Sequence, residues 1–498
     1  MKKAIALTLT VIMLTSNIGY SFCGFYVAKA DIKLFNKTSQ VIIAKNGDKQ
    51  TVTMSSDFEG DVKDFAMVVP VPVVLQEGDI KVAERILFDK LDTYSSPRLV
   101  EYYDEDPCYE PVKYKSSGGG KKNRSMSVSY GAAPKMEFKE KDYGVTVEAK
   151  YTVGEYDILI LSAKESGGLE EWLIDNDYKM PVGAKEVLDP YIKTNMKFFV
   201  AKVNLENYNQ SGAVPLKPLQ ITYTSPKFML PIRLGMANAN GVQDLIVYMY
   251  SKVGRIETTN YRTSLLPTDF KVPLFVRNEF GEFYRDLYNK AWTREGKNTV
   301  FLEYGWDVSP TQNQFCDPCV GDPPVVTDLK SAGVDWLELK STDYHTQAKT
   351  YEGFVYFTRL HLTYDRAHFP QDLLFQETAN KQRYQGRYIL TNPAGGDFSC
   401  QKGQDYIKEL SARRWNELYT YQWLTGRDIT AHYDYPKEYD QYLNKENKSS
   451  KHGGISMEDF IPEHATTENG SASVFLLTMI TLACVMFALS RKRDSKIQ

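Results

Sequence analysis

The sequence predicts an α+β fold: a β-rich extracytoplasmic body with several helices and one C-terminal transmembrane helix. Three observations carry this reading. Two apolar runs bracket an otherwise polar chain, Ala4 to Met13 behind Met1-Lys2-Lys3 and Ala472 to Ser490 ahead of Arg491-Lys492-Arg493. Tyrosine is abundant, with 34 residues, and suits half-buried strands where the ring packs and the hydroxyl reaches water. Between Val145 and Val203, strand-like and helix-like patterns alternate within one short stretch, which argues for α+β rather than a pure sandwich.

The N-terminal run reads as a secretion signal over residues 1–22, since it is short for a membrane span and gives way to Thr, Ser, Asn and Gly. Ala28-Lys29-Ala30 resembles a cleavage site but lies far from the apolar core. Residues 472–490 read as a transmembrane helix, with residues 491–498 as a basic tail left in the cytoplasm. Processing of the C-terminal run near Gly470 is the alternative, though no recognised sorting motif precedes it. The body is expected over 23–435, with a subdivision allowed near residue 270, and a polar stalk over 436–471.

Within the body, Asp31 to Lys45 and Gln50 to Met54 read as strands joined by a turn at Asn46-Gly47-Asp48. Phe65 to Pro72 is an apolar run of the buried-strand type, its prolines placing its end at an edge or exit. Ala83 to Leu91 has helical spacing, and Leu99 to Tyr103 reads as a strand. Residues 116–134 are rich in Gly, Ser, Lys and Asn and are expected as a flexible insertion. Val145 to Val153 and Tyr156 to Leu161 form a hairpin pattern about Gly154-Glu155. Helices follow at Gly168 to Asp175 and Pro181 to Lys193, then strands at Phe198 to Val203, Leu219 to Tyr223 and Leu245 to Tyr250. Gly281 to Trp292 and Asp405 to Leu424 are amphipathic helices, and Tyr351 to Leu362 is a long strand.

The composition, 42% hydrophobic and 25% charged, is that of a folded protein. A formal net charge of -3 gives no general attraction to nucleic acid. The cysteines are Cys23, Cys108, Cys316, Cys319, Cys400 and Cys484, the last inside the C-terminal apolar run. Cleavage before Cys23 leaves five outside and cleavage after Ala30 leaves four; disulfides are the default in an exported compartment, with connectivity open. Cys316-Asp317-Pro318-Cys319 is the strongest local chemical signal. The Gly321-Asp322-Pro323-Pro324 that follows disfavours the helix a redox pair would use, and Asp317 would raise a neighbouring thiol, so structural disulfides are preferred to redox chemistry. A zinc half-site lacks a second CxxC or a tight His pair; no metal or cofactor is assigned. His361, between Leu360 and Leu362, is expected to face solvent rather than act as a base. Asp104-Glu105-Asp106 and Asp322 read as solvated loops, and Gln385-Gly386-Arg387-Tyr388 and Gly395-Gly396 as turns about an extended strand.

Several segments resemble a known family: Cys23-Gly24-Phe25-Tyr26-Val27-Ala28-Lys29-Ala30-Asp31 leading into Leu34-Phe35-Asn36, Phe65 to Val71, Ser96-Pro97-Arg98-Leu99-Val100-Glu101-Tyr102, Cys316-Asp317-Pro318-Cys319, Gln385-Gly386-Arg387-Tyr388 and Leu424-Thr425-Gly426. Together, over roughly Cys23 to Tyr433, they resemble the bacterial exported family catalogued as domain of unknown function 2330. The resemblance implies no catalytic residues, and it implies that Cys23 is retained. The function expected is a membrane-anchored cell-envelope binding or structural module, whose partners are the membrane and an envelope protein or glycan. An exported thiol–disulfide oxidoreductase using Cys316 and Cys319, or a hydrolase, is the alternative.

Overall fold

The computed structural model describes residues 25–26, 39–55, 66–108, 143–176, 178, 183–210, 216–237, 241–310, 321–343, 346–396 and 398–443. The signal segment, the insertion at 116–134, Cys23, Cys316, Cys319 and the apolar run 472–490 lie outside these residues. Among the described residues, no helix is long and apolar enough to cross a membrane. The chain divides into two units: a larger one holding residues up to 104, 112–392 and 420–428, and a smaller one holding 105–111, 393–419 and 429 onward. Residue 270 lies inside the larger unit.

Two sheets dominate the larger unit. The first contains β1 (Phe25–Tyr26), β4 (Ala66–Val71), β7 (Val145–Val153), β8 (Tyr156–Ala163) and β9 (Lys197–Val203), in the order β1-β4-β9-β8-β7. The second contains β2 (Ser39–Asn46), β3 (Lys49–Met54), β5 (Ile80–Val82), β10 (Leu219–Thr224), β12 (Gln243–Ser251), β14 (Arg262–Leu265), β16 (Thr299–Asp307) and β19 (Tyr356–Tyr364). Their order is β14-β16-β19-β12-β2-β3-β10-β5, and β21 (Tyr384–Gln385) also pairs with β16. Smaller sheets join β11 (Met229–Leu230), β20 (Leu373–Glu377) and β13 (Ile256–Thr258); β15 (Phe270–Lys271), β22 (Arg387–Asn392) and β6 (Arg98–Tyr103); and β17 (Glu338–Thr342) with β18 (Lys349–Glu352).

The helices are α1 (Ile86–Ser95), α2 (Ser166–Asp175), α3 (Ala184–Lys193), α4 (Leu205–Gln210), α5 (Val276–Arg294), α6 (Val326–Ser331) and α7 (Gln401–Thr425). Strands β2, β4, β9, β12, β16 and β19 bury both faces over most of their length. Val41, Ile43, Val247, Met249, Leu360 and Leu362 from the larger sheet meet Met67, Val69, Ile158, Ile160 and Phe199 from the smaller. The opposite face of the larger sheet, with Ile42, Ala44, Tyr248, Tyr250 and Phe357, packs on Leu87, Phe88, Leu91 and Tyr94 of α1 and Leu329 of α6. The opposite face of the smaller sheet, with Val68, Leu161, Phe198 and Val200, packs on Leu169, Trp172 and Leu173 of α2 and Val187, Leu188 and Tyr191 of α3. The larger unit is thus layered helix, sheet, sheet, helix. This layering explains why Val41 to Ala44 is a continuous buried run rather than an alternating one: a strand covered on both faces has no solvent side.

The expected elements appear with shifted ends. The first hairpin turns at Gly47-Asp48, and the second at Gly154-Glu155, where Gly154 takes a φ of +57° that suits glycine. The helix expected from Ala83 begins at Ile86 and ends at Ser95, ahead of Pro97, and the strand expected from Tyr351 splits into β18 and β19. Helix α7 ends at Gly426, whose φ of +80° lets its N–H bond back to Gln422 O and close the last turn.

In the smaller unit, Cys108 and Cys400 are joined by a disulfide across 292 residues of sequence. Phe398, Ile407 and Leu443 are buried together there, and Arg414 packs its guanidinium on the rings of Tyr435 and Tyr439. Residues 436–443, at the start of the segment expected as a stalk, therefore belong to this packed unit. Replacing both cysteines, as Cys108→Ser with Cys400→Ser, is expected to lower the stability of the smaller unit by about 2–5 kcal/mol. Scanning calorimetry, with limited proteolysis across residues 393–419, measures the loss.

Candidate functional site

A cluster of ionisable side chains sits on the helix-facing side of the larger sheet, where three adjacent strands put polar residues side by side. Strand β19 sends Leu360 and Leu362 into the inter-sheet core, so Arg359 and His361 point the other way. The registers align Ile246 and Phe301 with His361, Tyr248 and Tyr304 with Arg359, and Asp244 with Thr363. A register shift between Leu302 and Tyr304 falls at Glu303, an added residue that turns its carboxylate into the cluster.

Helix α5 covers this part of the sheet because Phe283, Leu287, Tyr288 and Ala291 fall on its buried face. The Tyr288 ring stacks on His361 at 4.3 Å, and Trp292 Nε1 donates to Thr363 O at 3.0 Å. The expectation that His361 faces solvent is corrected here: the polar side of an alternating strand is not the wet side once a helix lies over it.

His361 is held between two carboxylates. Its Nδ1 donates to Glu303 Oε1 at 2.6 Å and its Nε2 to Asp244 Oδ1 at 2.8 Å, the latter oxygen also accepting from Thr363 Oγ1 at 2.9 Å. With an acceptor on each side, both ring nitrogens carry protons and the ring is an imidazolium. Burial alone would lower its pKa, but the charges of Asp244 and Glu303 outweigh that and raise it to about 10. Glu303 is 1% exposed. Burial would raise its pKa, yet the positive charges of His361 and Arg359 hold it well below the usual carboxylate range.

The cluster continues through Arg359, whose Nε donates to Glu303 Oε2 at 2.6 Å and whose Nη1 donates to Asp92 Oδ1 of α1 at 2.7 Å. Tyr248 OH donates to the same Asp92 oxygen at 3.1 Å, and the Arg359 guanidinium lies over the Tyr248 ring. Tyr284 of α5 donates its hydroxyl to Glu303 Oε1. Burial, and the Glu303 charge beside it, push the Tyr284 hydroxyl well above its ordinary pKa, so it remains a donor. Each helix is thereby tied to the sheet by a charge-assisted bond, α1 through Asp92 and α5 through Tyr284.

The remaining sequence candidates are placed separately. Cys108 and Cys400 are bonded to each other in the smaller unit. Cys23, Cys316 and Cys319 lie outside the described residues. His368 bonds to Asp365 through Nδ1 at 2.8 Å, and Asp365 also accepts the backbone N–H groups of Ala367 and His368, so the pair closes a local turn. Asp372 accepts from Tyr191 OH, from the Ile232 and Arg233 backbone N–H groups and from the Arg233 guanidinium. Among the described residues, no group of three or more His, Cys, Asp or Glu side chains is placed to hold a metal ion.

Arg359, Glu303, Asp244, Asp92 and Tyr284 were not singled out from sequence. A lone glutamate inside Thr299-Val300-Phe301-Leu302-Glu303-Tyr304 and a lone arginine inside Tyr356-Phe357-Thr358-Arg359-Leu360 are the signals that could have marked two of them. A charge inside a strand-forming apolar run is buried with a partner or is not tolerated. The chemistry this arrangement supports is charge fixation. His361 has no free lone pair to accept a proton and Glu303 carries a spent negative charge.

Residues 19–376 match the family described as Uncharacterized protein conserved in bacteria (DUF2330). The match ends before Gln385-Gly386-Arg387-Tyr388 and Leu424-Thr425-Gly426, so it is shorter than the span to Tyr433 expected from those motifs. No curated protein and no solved structure matches the chain at a significant level.

Two outcomes are expected. Arg359→Met leaves Glu303 and Asp92 without their shared cation and lowers stability by about 3–5 kcal/mol, read from urea unfolding at neutral pH. His361→Gln gives a pH-dependent loss. A histidine whose folded pKa is raised from 6.5 to about 10 contributes its full stabilisation below about pH 6.5 and loses it as pH rises through about 10. The gap between wild type and His361→Gln in unfolding free energy should therefore be widest near pH 6 and shrink steadily toward pH 10. A gap that stays constant across that window would show that His361 is not charged in the folded protein.

Proposed function

The chain belongs to the DUF2330 family of uncharacterised proteins conserved in bacteria, and we propose that it is a membrane-anchored cell-envelope module that binds or scaffolds rather than catalyses. The observation that carries the exported placement is the Cys108–Cys400 disulfide. Such a bond persists in oxidising compartments outside the cytoplasm and is rare within it. It agrees with the apolar runs at the two ends of the chain, read as a secretion signal and an anchor followed by Arg491-Lys492-Arg493.

The binding or structural role is favoured over hydrolysis by how His361 is held. A general base needs a ring nitrogen able to accept a proton near neutral pH. His361, buried beneath α5, has both nitrogens engaged by carboxylates and offers none. The partners that fit are the membrane, through residues 472–490, and an envelope protein or glycan presented to the exterior body.

The test uses the full-length chain in a bacterial host. Thiol alkylation before and after reduction, with peptide mapping, is expected to find Cys108 and Cys400 protected until reduced. Protease added outside spheroplasts is expected to digest the body, while the C-terminal segment stays with the membrane fraction after alkaline extraction. A body sheltered from external protease, with Cys108 and Cys400 freely alkylated, would overturn the exported reading. Rapid reversible exchange between Cys316–Cys319 and a dithiol substrate would replace the binding role with the oxidoreductase one.

A further inference from the structure

One flank of α5, beside the face it buries, lines an open cleft of about 530 Å³. Asp286, Asn289, Lys290, Thr293 and Arg294 lie three and four residues apart, so they share one side of the helix, and Thr425 at the end of α7 completes the lining. Both segments belong to the larger unit. The Leu424-Thr425-Gly426 motif ends α7 at this wall, where a Cβ on Gly426 would already touch the Lys290 side chain at 3.7 Å. Among the described residues, the side chains of Asn289 and Thr293 make no hydrogen bond. An amide and a hydroxyl are thus left open to the cleft. None of the six lining residues is aromatic or aliphatic, so the cleft has no seat for a base, an acyl chain or an apolar side chain.

The charges in the cleft do not cancel. Asp286 is spent on Arg427, whose Nε donates to its Oδ2 and whose Nη2 donates to Glu282 at 3.1 Å. Lys290 Nζ donates to the Trp423 and Gln422 carbonyl oxygens at the end of α7, and among the described residues no carboxylate pairs with it. Arg294 shares Glu295 with Arg262, so two cations there meet one acid. Lys290 and Arg294 are like charges four residues apart, a spacing that costs helix stability unless an anion lies between them. Burial, and the Arg294 charge beside it, both push the Lys290 ammonium below its ordinary pKa, and a bound anion would reverse that. We propose that this cleft binds an acidic glycan, a polyhydroxylated sugar bearing a carboxylate or phosphate group, which rests on the reading of the body as a binding module. The acid group would sit between Lys290 and Arg294, where charge-assisted bonds hold carboxylate and phosphate alike. The sugar hydroxyls would take the open amide of Asn289 and hydroxyl of Thr293.

The test uses the full-length chain in mild detergent, titrated calorimetrically with galacturonate oligomers, phosphorylated dextran, plain dextran and poly-glutamate. Wild type is expected to bind one or both acidic glycans, and the arm that binds identifies the acid group. Plain dextran should not bind, and poly-glutamate should bind more weakly than the glycan. Asn289→Asp should weaken binding by at least about tenfold, and Asn289→Lys should tighten it. Neither variant removes a bond, so effects of opposite sign cannot come from misfolding. Arg294→Gln should also weaken binding, while Lys81→Gln, exposed on β5, should leave it unchanged. Affinity indifferent to both Asn289 variants, or poly-glutamate bound as tightly as the glycan, overturns the proposal. Retention on isolated envelope material separates this failure from that of the binding role. Wild type and Asn289→Asp retained alike, with no probe bound, would overturn the cleft and leave the binding role standing. A wild type that binds neither envelopes nor any probe would overturn both.

Discussion

The contact on which the larger unit most depends is the salt bridge between Glu303 and Arg359, completed by His361. A carboxylate 1% exposed is costly to bury, and removing either cation would leave that cost unmatched. The three residues come from neighbouring strands, so the bridge forms only when β16 and β19 are in register and the added residue at Glu303 is placed as it is. The same atoms then reach outward, to Asp92 on α1 and Tyr284 on α5. An error in strand pairing would bury a charge without its partner, so the cluster penalises wrong registers more strongly than an apolar contact could.

Around that contact the layers are simple. Apolar side chains fill the space between the sheets, and helices cover the outer faces. Because the larger sheet has no wet face over most of its length, its polar residues are confined to positions that can pair. Asp244, Glu303, Arg359 and His361 are four of those positions, and each carries at least one bond to another charged group. The protonated state of His361 follows from this confinement. It also keeps the cluster in one charge state across the neutral range.

The legibility of the chain varied with the physics involved. The β7–β8 hairpin could be read because alternation and Gly154 act locally, and helix α5 because Phe283, Leu287 and Tyr288 repeat at helical spacing. Helix α1 began three residues later than its apolar spacing suggested, since the boundary depends on how Leu87, Phe88 and Leu91 meet the sheet. His361 was misplaced for a related reason. Alternation in Arg359-Leu360-His361-Leu362 separates two faces, but nothing in those four residues tells whether a helix from residues 276–294 lies over the polar one.

By itself the sequence determined the class of the fold, most of its strands and helices, the family and the pattern of apolar ends. Those depend on periodicity, turn residues and ordered motifs, which are properties of neighbouring residues. Only the tertiary structure decided that Cys108 pairs with Cys400, that Glu303 is wholly buried, and that His361 joins it to Asp244. Each of these brings together residues far apart in the chain, and their charge states and bonds are set by what surrounds them in space.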